Sequence, residues 1–232
     1  MTRTYGDIPY QLAKTHRKTA SILIERDGQV SIRVPKELTD NQVEKLIENK
    51  RTWIYKALAE WSDLNATRVH RAFVNGEGYL YLGRSYRLRM VKDQAEPLML
   101  KNGYFCLHGD PKQTTQTKFV EAFKEFYRQR GRDRIPQRVE LFQAKLGLKA
   151  KAVNVLELKN RWASCSAKGN LNFHWKCLMA PPTIIDYIIV HELAHLRYAN
   201  HSAAFWNEVD KLMPDYRERK EWLRVNGAGM DL

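Results

Sequence analysis

Apolar residues gather in two short β-prone runs, 20–25 and 30–34, and Asp27-Gly28 between them favours a hairpin turn. Beyond Pro35 the pattern changes. Val43, Leu46, Ile47, Ile54 and Leu58 recur at the spacing of one helical face, with Thr39 or Asp40 placed to cap a helix that runs to about Trp61. Strand-like runs return over 79–82, 86–91, 98–100 and 104–107, then stop at the polar segment 109–115. A long helical pattern follows, with Phe119, Phe123, Phe126, Tyr127, Ile135, Val139, Phe142 and Leu146 near one face. Pro136 should kink that helix or open a second one. Residues 151–158 and 171–178 look like strands. In the second, Leu171, Phe173, Trp175 and Cys177 point one way while Asn172, His174 and Lys176 point the other. Pro181-Pro182 suits the entry to a helix reaching His195, with Thr183 and Asp186 at capping-box spacing. Two further helices bury Phe205, Trp206, Val209 and Leu212, then Tyr216, Trp222 and Leu223, with Pro214 between them. No internal repeat is visible.

These elements predict an α+β fold. An N-terminal antiparallel, β-rich section with one long helix (1–110) precedes a mainly helical catalytic section with a small sheet (111–232). At 232 residues the chain can bury a sizeable core. No apolar run approaches the roughly 20 residues of a membrane helix, and residues 1–10 lack an apolar signal core, so a cytoplasmic protein is expected. Cys106, Cys165 and Cys177 lie far apart, which suits reduced, buried thiols.

Charge adds a second theme. The chain holds 39 Lys+Arg against 26 Asp+Glu, a net +13 that attracts nucleic acid or other acidic partners. Part of it sits in the run Arg128, Arg130, Arg132 and Arg134, followed by Arg138. Residues two apart on a helix spread around the cylinder, so a solvated surface explains this run as well as a phosphate track does.

The candidate chemistry lies in His191-Glu192-Leu193-Ala194-His195. Histidines four apart on a helix lie about 40° apart in projection and about 6 Å apart along the axis, so both imidazoles reach one ion. Glu192 stands beside them as general base for a water on that ion. Ile184, Ile185, Ile188 and Ile189 mark the helix as buried, and a buried polar cluster is costly unless something satisfies it. One Zn2+ held by His191, His195 and His201 would do so and leave an open position for catalysis. For His201 to return, the chain must turn back after Leu196, with Asn200 the residue most tolerant of a left-handed conformation. The span to His201 has metzincin spacing, except that Tyr198 occupies the glycine position. Tyr198, Tyr216, His174 and Arg161 are candidates for substrate or oxyanion contact, and Cys165 is read as structural. Imidazole ligands also suit other divalent metals.

The chain resembles the YgjP-like family of metal-dependent peptidases, relatives of the SprT-like and WLM zinc proteins. The resemblance rests on Arg17-Lys18-Thr19, Lys50-Arg51-Thr52-Trp53-Ile54 and Leu82-Gly83-Arg84-Ser85-Tyr86. It continues through Arg161-Trp162-Ala163-Ser164-Cys165-Ser166, the HExxH run, Asn200-His201-Ser202, Phe205-Trp206 and Pro214-Asp215-Tyr216. Ala163 and His174 depart from the family's glycine and asparagine. The resemblance implies zinc at the three histidines, Glu192 as catalytic residue and a substrate strand along the edge of the sheet containing 171–178. The expected function is thus hydrolysis of a protein or peptide. A zinc amidohydrolase acting on a non-peptide amide, and a basic nucleic-acid-associated protein with a structural zinc, remain as alternatives.

Overall fold

A computed structural model describes residues 2–25, 27–66, 69–110, 113–158 and 161–232. Pro111 and Lys112, within the polar segment, lie outside the described residues. The chain forms two compact units, Met1–Arg68 and Val69–Leu232. The division therefore falls well before residue 110. The strands over 78–108 belong to the second unit, because Tyr79, Leu88, Phe105 and Leu107 share one core with Phe123, Tyr127 and the site helix.

The first unit holds β1 (Thr2–Tyr5), β2 (Ile8–Thr15), β3 (Ser21–Ile24), β4 (Val30–Pro35) and α1 (Asp40–Asn65). Its sheet order is β1-β2-β4-β3. Ile8, Tyr10, Val30, Ile32 and Val34 point inward and bury Val43, Ile47 and Ile54 of α1. The helix opens with a full capping box: the Thr39 hydroxyl accepts from the Gln42 N–H, and the Gln42 side chain accepts from the Thr39 N–H at 2.9 Å.

The second unit begins with β5 (Gly78–Tyr81), β6 (Arg84–Val91), β7 (Leu98–Lys101), β8 (Tyr104–His108) and α2 (Gln116–Leu146). Its order, β5-β6-β8-β7, repeats that of the first sheet. In both sheets the outer pairs are antiparallel and the inner pair is parallel: β2 with β4, and β6 with β8. The sheets are therefore mixed, and the chain carries a repeated ββββα unit that its sequence conceals. Pro136 lies inside one continuous α2, neither ending it nor opening a second helix.

The remainder builds the site. A three-stranded sheet has the order β10-β11-β9, from β9 (Ala152–Leu156), β10 (Ala163–Cys165) and β11 (Asn170–His174). The strand expected over 171–178 ends at His174, because residues Trp175–Met179 form a 3-10 turn. That turn leads through Pro181 into α3 (Pro182–Ala194), followed by α4 (Ala203–Leu212) and α5 (Tyr216–Asn226). The expected capping box at Thr183 does not form. Asp186 instead accepts from Nε and Nη2 of Arg138 at 2.8 and 2.6 Å. No helix among the described residues is long and apolar enough to cross a membrane.

Candidate metal centre

The apolar run of α3 buries Ile184, Ile185, Ile188, Ile189 and Val190 in the core of the second unit. That packing fixes the azimuth of the residues that follow. His191 and the helix-ending His195 are thus presented toward Phe205 of α4, and Glu192 toward Arg161 and Cys165.

The helix stops at Ala194, and its last carbonyls are closed locally: Ala194 O receives the N–H groups of Arg197 and Tyr198 at 3.1 and 2.9 Å. Arg197 then pairs with the buried carboxylate of Glu208 in α4, which also holds Lys211. The Ser202 hydroxyl accepts from the Phe205 N–H at the start of α4. These contacts turn the chain back and bring His201 beside the helix. Asn200 has no left-handed backbone; the reversal is made with ordinary torsions and the Arg197–Glu208 tie.

The three imidazoles converge. Their ligand atoms lie within 4.8 Å of one another, and among the described residues no fourth His, Cys, Asp or Glu joins them. The Nε2 atoms of His191 and His201 face each other at 3.0 Å. Burial, then the neighbouring imidazoles, pushes His191 down to about 3, and burial also lowers His201. Two neutral imidazoles meeting nitrogen to nitrogen need a proton or a cation between them. His195 Nδ1 lies 3.0 Å from the Tyr198 carbonyl. That oxygen can only accept, so Nδ1 carries the proton and Nε2 keeps its lone pair. The donor set therefore fits a metal ion.

Aromatic rings hold the triad in place. Phe205 contacts all three imidazoles with centroids 4.6 to 5.0 Å away. His201 stacks on Trp206 at 5.6 Å and Trp206 on Tyr216 at 5.0 Å. Tyr187, one turn before His191, meets its ring at 5.9 Å. The i, i+4 spacing of Tyr187, His191 and His195 is the sequence signal that places this tyrosine on the same helix face.

Glu192 is 6% exposed, and its Oε2 is buried without a hydrogen-bond partner. Burial pushes its pKa up to about 7, against the charge of Arg161 and a hydrogen bond from the Cys165 backbone N–H. That N–H belongs to β10, the edge strand packed against α3. Only a long-range strand placement supplies this contact, so spacing along the chain gave no signal for it. The Cys165 thiol itself stays protonated, its pKa raised by burial and by Glu192.

The four candidate contact residues divide. Arg161 acts on Glu192 by charge, and Tyr216 joins the aromatic stack behind His201. Tyr198 contributes its carbonyl to His195. His174 lies inside the fold. It is 6% exposed, accepts from the Lys176 N–H at 3.1 Å, and is pushed down to about 4 by burial and then by Lys176. Its charged neighbours are Lys176, Glu157 and Asp231, none of them in the triad.

A buried helix that offers two imidazoles and a carboxylate to a third, returning imidazole has the arrangement of a metal-dependent hydrolase. The chain belongs to the YgjP-like family, whose metallopeptidase-domain model matches residues 18–226. It is similar to two solved metallopeptidase zymogens. Abylysin of Pyrococcus abyssi is 30% identical, over 38% of this chain and 89% of that one, with a TM-score of 0.36. Jannalysin of Methanocaldococcus jannaschii is 23% identical, over 38% and 90%, with a TM-score of 0.35. No curated protein matches the chain.

Proposed function

We propose that the chain is a zinc-dependent peptidase in which His191, His195 and His201 hold one Zn2+ and Glu192 is the general base. The observation that carries this reading is the 3.0 Å approach of two neutral imidazole nitrogens beside a buried carboxylate whose Oε2 has no partner. When bound, the ion supplies Lewis acidity and lowers the pKa of the water it coordinates. Glu192 accepts a proton from the attacking water and returns it to the leaving amine nitrogen. The Cys165 N–H and the Arg161 charge orient that carboxylate and favour its ionised form. Of the nearby phenols, Tyr187 is the one whose ring meets a triad imidazole, while Tyr216 lies behind Trp206.

Substrate enters as an added strand. β10 is the sheet edge beside α3, so an extended peptide can pair with its free side and lie across the triad. The edge is therefore β10 rather than the strand at 170–174, which is central. The three-donor set favours catalysis over a structural zinc, because structural sites close with four protein ligands.

Metal analysis paired with digestion of a broad peptide library tests the reading. Glu192→Gln should keep its zinc and lose turnover by about 10²–10⁴-fold, whereas His201→Ala should lose the zinc. Unchanged cleavage by Glu192→Gln removes the proposed base, and full zinc retention by His201→Ala removes the proposed ligand set.

A further inference from the structure

The sheet β5-β6-β8-β7 turns one face to the core and the other to solvent. Leu88, Phe105 and Leu107 point inward. Pleating then sends Arg87 and Arg89 of β6, Tyr104 of β8, and Met99 and Lys101 of β7 to the opposite face. Register aligns them. Arg87 lies opposite Tyr104 on one side, and Lys101 lies opposite Tyr104 on the other. The next row across the sheet places Arg89 beside Cys106 and Met99. The Arg89 guanidinium sits 4.0 Å over the Tyr104 ring, while Arg87, Arg89, Met99 and Lys101 are all exposed. None of the three cations has a carboxylate partner among the described residues.

The arginine run on α2 is divided. Arg128 is paired with Glu121, Glu125 and Glu157, and Arg132 with Glu125. Arg130 and Arg134 are exposed and lie over Phe126 and Tyr81, at 5.4 and 6.0 Å. The sheet differs in that register sets three cations on one face, with a guanidinium as near as 4.0 Å to a tyrosine ring.

We propose that this outer sheet face binds single-stranded nucleic acid. Arg87, Arg89 and Lys101 take phosphates, and the Tyr104–Arg89 pair is the platform on which a base stacks. An exposed guanidinium plane backed by a tyrosine ring offers an unpaired base a π surface, which a carboxylate-rich peptide cannot use. A flat sheet also accepts splayed bases, whereas a duplex major groove calls for a helix or a two-stranded ribbon. The equivalent outer face of β1-β2-β4-β3 carries Gln11, Ala13, Ser21, Ser31 and Leu23 around Arg33, so the topology alone does not create the platform.

Fluorescence anisotropy of the full chain with labelled dT20 and U20, titrated with salt, tests this. Three phosphate contacts on a single strand give a log–log salt slope of about −2. Replacing Arg87 and Lys101 together by Gln should reduce the slope to about −0.7. Tyr104→Ala should weaken binding about 10-fold at fixed salt while leaving the slope alone, and Tyr104→Phe should retain it. Arg128→Gln with Arg132→Gln, and the His201→Ala protein, should bind as the parent does. Preference for dT20 or for U20 identifies DNA or RNA as the source, and either supports the assignment. Absence of binding at low salt overturns it. So does equal affinity for a duplex, equal competition by polyglutamate, or indifference to the sheet variants.

Discussion

The two ββββα units share strand order, strand directions and a helix opened by threonine, yet they serve different ends. In the first unit the β1–β2 turn closes on its own helix: Asp7 is held by Tyr55 and Arg51 of α1. In the second unit the matching β5–β6 turn reaches out. The N–H groups of Leu82 and Gly83 donate to the carbonyls of Leu178 and Met179 at 2.8 and 3.1 Å, bracing the chain just before α3. One unit is finished within itself. The other has become the support of the metal centre.

Adding metal should separate them most. A ligand at a thousand times its Kd stabilises the binding state by about 4 kcal/mol. Amide hydrogen exchange with and without Zn2+ should show added protection for α3, α4 and β11, and none for the amides of β2 and β4. Equal protection of both units would mean that they open as one body. It would break the comparison while leaving the metal ligands in place.

The turn glycines come next. Gly83 has φ +78°, and an added Cβ would meet Pro181 at 2.8 to 2.9 Å, including its backbone. Gly83→Ala combines a left-handed alanine with overpacking against a backbone that cannot retreat, for a cost of about 3 kcal/mol. Gly6 has φ +57° but finds only a flexible Arg51 guanidinium at 3.8 Å. Gly6→Ala should cost about 1 kcal/mol, the conformational part alone. Urea titrations of the two variants measure the difference. Equal losses would deny that the second turn is a brace.

Much of the local structure was readable because it depends on neighbours in sequence. Thr39 with Gln42, the Asp27-Gly28 turn and the i, i+4 imidazoles all work over one helical turn or one hairpin. The repeat was hidden because its two copies conserve alternation rather than residues: Ile8 and Tyr10 do inward work that Tyr86 and Leu88 do later. The strand pair at residues 2–15 was missed because β1 reads Thr2-Arg3-Thr4-Tyr5, with little apolar signal, and Gly6-Asp7 interrupts the run. Parallel pairing was out of reach for another reason. Alternation fixes which face of a strand is buried, not which strand lies beside it. The same gap hid the Cys165 N–H on Glu192 and the burial of His174, both set by where β10 and β11 land.

The smallest expected effect is also the most controlled, because both helices start from the same residue type. At α1 the Thr39 hydroxyl accepts from the Gln42 N–H and completes a reciprocal pair. At α2 the residue in that position, Thr115, has a similar extended backbone but makes no side-chain cap hydrogen bond. The start of α2 is closed instead by Lys118 N–H to the Thr115 carbonyl at 3.0 Å, a bond that any residue at 115 can accept. Thr39→Ala should therefore lower stability by about 1 kcal/mol, and Thr115→Ala by no more than about 0.3 kcal/mol. Chemical denaturation read by far-UV circular dichroism resolves a gap of that size. Equal losses would show that the second helix is capped in solution as the first is, and that the two units begin their helices alike.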